Sequence, residues 1–228
     1  MVARYDDNIY HLPQLENCKH IFRDRTHAGR CLAKMIQKTE GFVLGIPAGG
    51  IPVAEVVTKV LGLPMDVAIV SKITLPWRTE IGYGAVAFDG TIQLNRDLLD
   101  VLDLNEEQIQ NGIRKTIGKV SYRQKRFKST DIQPDLMGNS AIVVDDGLAS
   151  GFTMRVAVES LAKAGIKPIT VAVPTGNEKA VRDISRCVRT VYCANIRNGH
   201  RFAVADAYQM WSDVTDSEVD TILETYNL

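Results

Sequence analysis

Short apolar runs alternate along this chain with stretches of helical period. Asp24 stands where a helix N-cap is expected, and Ala28, Cys31, Leu32, Met35 and Ile36 follow at three- and four-residue spacing. Phe42-Val43-Leu44-Gly45-Ile46 reads as a short buried strand. A helix opens after it near Pro52, a residue favoured in the first turn. Met65 to Val70 predicts a second strand. The stretch from Lys72 to Gly84 carries Pro76, Gly82 and Gly84 without a clean period, so a loop is expected there. Asp89-Gly90, between Val86-Ala87-Phe88 and Thr91-Ile92-Gln93-Leu94, signals a hairpin.

Asn105 with Gln108 has the spacing of a capping box, and Ile109, Ile113, Ile117 and Val120 are expected to share one face of the helix that follows. Ala141-Ile142-Val143-Val144 is a fully apolar strand. A helix from about Phe152 to Ala164 comes next, closed by Gly165. Strand Ile169 to Val173, helix Glu178 to Ser185 and strand Val188 to Cys193 complete the alternation. Thr215 and Glu218 cap a last helix carrying Val219, Ile222, Leu223 and Tyr226. Strands alternating with helices predict an α/β fold with a parallel sheet covered on both faces. Ligands in such sheets bind at the carboxyl ends of the strands.

The 228 residues fit one domain, and 45% hydrophobic with 24% charged residues is an ordinary globular composition. The 27 basic and 27 acidic residues cancel, which excludes a bulk electrostatic hold on nucleic acid or membrane. Cys18, Cys31, Cys187 and Cys193 form no CxxC pair and read as reduced, mostly buried thiols of a cytoplasmic protein. No apolar leader is seen at Met1 to Asp7 and no run of 18 apolar residues occurs, so secreted, membrane-spanning and disordered classes are not expected. The four histidines lie too far apart in sequence to mark a metal site. Arg114 to Lys128 holds seven basic residues and no acid. A solvated helix face suited to the macrodipole is the default reading, and a nucleic-acid patch is disfavoured.

The most informative segment runs from Ile142 through Asp145-Asp146-Gly147-Leu148-Ala149-Ser150-Gly151-Phe152-Thr153-Met154. A buried strand delivers two adjacent carboxylates, and a turn of small residues then opens a helix. Main-chain N–H groups of Ala149, Ser150, Gly151, Phe152 and Thr153, with two hydroxyls, suit a phosphate at the helix N-terminus. The carboxylates would repel a bare polyphosphate, so sugar hydroxyls or a bound Mg²⁺ are their expected partners. Together these groups describe a site for a ribose 5-phosphate; the plainer alternative is a helix cap beside a solvated Asp pair. The turn Gly45 to Gly50 also joins a strand to a helix and could offer amides to a diphosphate, although glycines at such junctions often serve packing. It is not a G-x-G-x-x-G motif.

On these residues the chain resembles the type I phosphoribosyltransferases, which bind 5-phosphoribosyl 1-diphosphate (PRPP). Phe22-Arg23-Asp24-Arg25 with His27-Ala28-Gly29, the Gly45 to Gly50 turn, Lys72 and Gly84-Ala85-Val86 are similar to stand-alone members found in bacteria and archaea. The likeness covers most of the chain from Phe22 onward and fades near 195–210. It implies a single domain over 1–228, with a core of about 22–193 and a small hood from the N-terminal segment and about 194–228. It implies that Asp145 and Asp146 hold the ribose hydroxyls and, through PRPP, a Mg²⁺ ion. Ala149 to Thr153 would wrap the 5-phosphate, and Ile46, Pro47, Ala48, Gly49 and Gly50 would face the diphosphate in a turn that often contains a cis non-proline peptide. Lys72 would reach the departing diphosphate. Residues 73–84, with Trp77, Arg78 and Glu80, would be a mobile lid, and His200, Arg201 and Phe202 would cover the acceptor.

The implied reaction is Mg²⁺-dependent displacement of diphosphate from PRPP by a small-molecule acceptor, a nucleobase or related heterocycle, in a homodimer. The chain departs from the family pattern at Ala48 and Ser71, where relatives commonly carry Arg, and at Ala149, where purine 6-oxo enzymes carry Asp. A non-catalytic regulator binding PRPP or a nucleotide on the same fold is the alternative.

Overall fold

The computed structural model describes the chain except for residues 38, 76, 128–137, 200 and 227–228, and its side chains except also those of 78–81 and 97. The seven-stranded sheet has the order β1-β2-β10-β9-β8-β3-β4. Its members are β1 (Ala3–Asp6), β2 (Ile9–His11), β3 (Phe42–Gly45), β4 (Met65–Val67), β8 (Ala141–Val144), β9 (Ile169–Asn177) and β10 (Thr190–Arg197). All neighbouring pairs are parallel except β1 with β2. Helices α1 (Arg25–Ala33), α2 (Gly50–Leu61), α5 (Phe152–Lys163), α6 (Glu178–Ser185) and α7 (Asp216–Glu224) flank it. The α/β architecture implied by the resemblance is therefore the one observed. No helix among the described residues is long and apolar enough to cross a membrane.

The apolar run of β8 explains how one strand serves both layers. Ile142 and Val144 enter the core shared with α1, α2 and α7, while Ala141 and Val143 enter the core shared with α5 and α6. Each fully buried aliphatic side chain contributes about 1.5–3 kcal/mol, so a strand without polar positions is held on both faces. Local signals place the helix starts. Asp24 accepts from His27 N at 2.7 Å, and both expected capping boxes form, at Asn105/Gln108 and Thr215/Glu218. Residues 3–11, part of the segment assigned to a hood by the resemblance, lengthen the sheet beside β10. Segments 20–25 and 203–212 lie against each other, with Phe22 N donating to Ala207 O at 3.0 Å and Gln209 N to Phe22 O at 2.8 Å.

Three expectations need correction. The stretch from Lys72 to Gly84 is an antiparallel hairpin of β5 (Val70–Leu75) and β6 (Arg78–Ala87), not an irregular loop, and β7 (Ile92–Leu94) extends it through the expected Asp89-Gly90 turn. Ile73, Leu75, Tyr83 and Ala85 are buried, and the glycines serve close packing. A β-carbon on Gly84 would sit 2.7 Å from Gln93 O and 2.9 Å from Ile73 Cδ1. On α4 (Glu106–Arg126), Ile117 faces solvent, and the buried line runs through Thr116, Val120 and Arg123 with Ile109 and Ile113 packed behind. Of the cysteines only Cys193 is fully buried and Cys187 is exposed, although all four are free thiols. Helix α3 (Arg96–Leu102), capped by Asn95, lies outside the sequence-based expectations.

Two glycine substitutions check this packing. Gly84→Ala overfills the β5–β6–β7 contact and is expected to destabilise by about 1–3 kcal/mol. Gly118→Ala, in α4 with nothing within 4 Å of the added carbon, is expected to stabilise by up to about 1 kcal/mol through helix propensity. Urea denaturation of both variants measures the difference.

Candidate active site

The chain order reverses between β3 and β8: β4 follows on one side, and β9 and β10 on the other. This is the topological switch point at which ligands enter open α/β sheets. Gly45 is in register with Val144, and Ile46 N donates to Val144 O at 2.9 Å. The two loops singled out in the sequence, 46–50 and 145–153, therefore leave the same sheet edge side by side. Their contact requires glycine. A β-carbon on Gly49 would overlap the Asp146 carboxylate, and one on Gly50 would lie 2.9 Å from Asp145 Cα.

The Asp145-Asp146 pair is half-buried at the end of β8. Burial, then the neighbouring Asp146 charge, pushes the Asp145 carboxyl well above the usual range, with Lys72 and Arg25 opposing. Burial also raises Asp146, against the pull of Arg25 and Lys72. Arg25 donates to Asp146 Oδ2 from Nε at 3.0 Å and from Nη2 at 2.8 Å. Both side chains are largely enclosed, at 11% and 15% exposed, so little water competes for the pair. The same guanidinium lies 4.0 Å from the centre of the Trp211 ring and donates to Ser212 O at 2.8 Å. Tyr208 OH donates to Asp146 O at 2.7 Å.

After the pair, Leu148 is pinned to β9 by bonds to Thr175 O and from Asn177 N. The chain then turns through exposed Ala149 and Ser150 to Gly151, whose φ of 71° starts α5. Ser150 Oγ accepts from Phe152 N at 3.3 Å. Among the described residues, no main-chain acceptor takes the amides of Ala149, Ser150, Gly151 or Thr153. Four donors at a helix N-terminus make an anion cradle. On the other loop, the Pro47-Ala48 peptide is cis. Gly50 N is used within that turn, on Ile46 O, leaving the Ala48 and Gly49 amides as its donors among the described residues.

Lys72 lies exposed on β5, close enough to draw both carboxyls down. Trp77 is at the hairpin tip, 62% exposed. Arg78 and Glu80 fall in β6, and their side chains lie outside the described part, as does the whole of His200. Arg201 is exposed, and Phe202 rests on the Arg197 guanidinium at 4.9 Å. Among the described residues, Tyr208 reaches the carboxylate pair through Asp146 O, and Trp211 approaches it through Arg25.

Sequence reasoning quoted Arg25 without assigning it a role and missed Tyr208, Trp211 and Arg123. The last is 8% exposed, donates to Pro47 O at 3.2 Å and pairs with Asp216 at 2.6 Å. Its signal was available: Ile109, Ile113, Thr116, Val120, Arg123 and Phe127 follow a strict four-three spacing, the seam of a helix against a core.

The raised Asp145 carboxyl makes stability depend on pH. It binds more protons in the folded chain than in the unfolded one. Its contribution is therefore complete below about pH 4 and is lost as pH rises through the elevated folded value. Asp145→Asn, which mimics the protonated form, is expected to stabilise the ligand-free protein at pH 8 by on the order of 1 kcal/mol, about 2–4 °C in Tm. The gain should shrink at pH 5. Thermal melts at both values check this, and an equal gain at the two would contradict it.

Residues 89–207, slightly more than half of the chain, match the family model described as the phosphoribosyl transferase domain. Proteins from two strains of Mycobacterium tuberculosis that carry the name "Putative phosphoribosyl transferase" are each 33% identical over 207 residues, covering 90% of this chain and 46% of the relative. The chain thus spans about half the length of the curated relatives it matches. A crystal structure of a Thermus thermophilus protein is similar with 29% identity and a TM-score of 0.69, over 90% of this chain and 98% of that one. With its carboxylate pair and anion cradle lying inside the matched region, the chain belongs to the phosphoribosyl transferase domain family.

Proposed function

We propose that this chain transfers the 5-phosphoribosyl group of PRPP to a small heterocyclic acceptor and releases diphosphate. One observation carries the reading: a carboxylate pair and an anion-binding helix N-terminus leave one strand end, in contact with a second strand-to-helix turn across the switch point. The α5 N-terminus suits the 5-phosphate, where the dipole alone contributes roughly 0.3–1 kcal/mol at exposed sites. Asp145 and Asp146 suit the ribose hydroxyls, and the 46–50 turn with Lys72 suits the diphosphate. The exposed part of Trp211 offers an aromatic surface beside the pair for a planar acceptor.

Among the described residues no group of three or more His, Cys, Asp or Glu side chains forms a metal cage. Two adjacent carboxylates fit a Mg²⁺ ion that keeps several waters and arrives on substrate phosphates; when bound, it supplies neutralising charge for the diphosphate. Asp145 and Asp146 would hold it, indirectly, through PRPP. None of the side chains is placed as a covalent nucleophile in this reading. Catalysis rests on holding both phosphate ends while positive charge develops on the ribose between them.

Incubation with PRPP, Mg²⁺ and a panel of nucleobases, followed by diphosphate release, tests the activity. Asp145→Asn with Asp146→Asn is expected to abolish turnover and to weaken PRPP binding by roughly 1.5–3 kcal/mol per lost charge-assisted bond, while the variant stays folded. PRPP binding without release of diphosphate for any acceptor would favour the non-catalytic regulator. Unchanged affinity in the folded double variant would overturn the site.

A further inference from the structure

One residue of the carboxylate pair is held at two points by distant parts of the chain. Arg25, the first residue of α1, donates to Asp146 Oδ2 from Nε at 3.0 Å and from Nη2 at 2.8 Å. Both bonds end on one oxygen, and among the described residues no donor from outside the pair takes Oδ1. The second hold is on the main chain, where Tyr208 OH donates to Asp146 O at 2.7 Å. Segment 208–212 in turn fixes the guanidinium. Nη1 donates to Ser212 O at 2.8 Å, and the group lies 4.0 Å from the centre of the Trp211 ring and 5.9 Å from that of Tyr208. The segment is anchored through its own main chain, with Gln209 N on Phe22 O at 2.8 Å and Met210 N on Arg23 O at 2.9 Å. Gly49 leaves the space that Oδ2 occupies, since a β-carbon there would overlap it.

We propose that Arg25 is a positioning residue for sugar recognition: fixed by the Trp211 ring and the Ser212 carbonyl, it holds the Asp146 carboxylate by Oδ2 and leaves Oδ1 to the hydroxyls of the ligand. This rests on the function proposed above and deepens it, because segment 208–212 then acts on sugar binding through Arg25. A carboxylate turns about its side-chain torsions unless something holds it, and a ligand that must order it loses affinity by the cost of that ordering. Arg25 removes the cost in advance. Its side chain and that of Asp146 are only 11% and 15% exposed, so water competes weakly for the bonds. A planar guanidinium can make both bonds while it lays one face on an indole and donates a third bond to a carbonyl. A lysine ammonium, a point charge, would keep the attraction and lose the shared geometry. The two oxygens of one carboxylate thus take separate roles, Oδ2 within the protein and Oδ1 toward a ligand donor.

Calorimetric titration with ribose 5-phosphate and with methyl phosphate, both without Mg²⁺, tests this role. Methyl phosphate carries the ester phosphate without the sugar hydroxyls, so the ratio of the two affinities reports what the hydroxyls contribute. Neither probe has a base that could stack on Trp211. The proteins are wild type, Arg25→Met, Arg25→Lys, Trp211→Leu and Arg30→Met, the last at an exposed position on the same helix. Arg25→Met is expected to weaken ribose 5-phosphate about tenfold, as for one charge-assisted contact, and methyl phosphate by less than about twofold. Arg25→Lys should recover part of the loss. Trp211→Leu should weaken ribose 5-phosphate about threefold, because the guanidinium is less firmly held, and Arg30→Met should change neither probe. A folded Arg25→Met that keeps the wild-type ratio, loses both probes equally or binds ribose 5-phosphate more tightly overturns the positioning role while the function stands. Should Arg25→Met fail to fold, an unchanged ratio in Trp211→Leu overturns it instead. A wild-type protein that binds neither probe, or both equally well, overturns the site proposed above and this inference with it.

Discussion

At the carboxyl end of β8 two side-by-side carboxylates share one partly enclosed site. Two like unit charges 4 Å apart repel by about 4 kcal/mol at an effective dielectric of about 20. The surroundings answer that repulsion in different ways at the two positions. At Asp146 the Arg25 guanidinium, itself enclosed by the Trp211 ring and the Ser212 carbonyl, opposes the upward push of burial. Among the described residues Asp145 has no guanidinium partner, and burial with the Asp146 charge pushes it further up. A ligand offering hydroxyls or a cation would relieve the repulsion at Asp145, and that relief would favour its binding.

Arg25 also ties together parts of the chain far apart in sequence. It opens α1, contacts the end of β8 and holds the backbone of residue 212. The pairing of 20–25 with 203–212 brings it there, and Tyr208, whose ring lies beside that of Trp211, joins the arrangement through its hydroxyl bond to Asp146 O. Removing any of these groups would disturb the others, because enclosed hydrogen-bonded groups are not additive. The tertiary pairing thus sets the electrostatic state of a carboxylate that the sequence places only locally.

What was legible in the sequence was local. The apolar run of β8, the Asp pair after it, the small-residue turn into α5 and the two capping boxes each depend on neighbours within a few residues. The β5–β6 hairpin was not legible, because Gly82, Gly84 and Pro76 carry the signature of a loop. The glycines are in strands for a non-local reason: β7 and Ile73 come too close for a side chain at Gly84. Arg123 was hidden among the basic residues of α4, and only the four-three spacing of the buried seam separates it from its solvated neighbours. Tyr208 and Trp211 lie at and beyond the edge of the region where the resemblance fades, so no motif pointed to them.

Counting acceptors shows how much of the carboxylate pair remains for a ligand. A carboxylate offers about four lone-pair positions. Arg25 takes two on Asp146, both at Oδ2, and Asp145 Oδ1 accepts from Asp146 N at 2.8 Å. Among the described residues no donor from outside the pair takes Asp146 Oδ1 or Asp145 Oδ2, one oxygen on each residue, which suits a diol or a pair of cation-bound waters better than a single donor. On one side of these oxygens lie the free amides of the α5 N-terminus, and on the other the 46–50 turn backed by α4. Under the proposed function, a molecule with hydroxyls in its middle and phosphate at both ends would meet complementary charge along its whole length. A chain with no net charge achieves this by separating its charges locally, with acids at the centre of the site and donors and cations at its two ends.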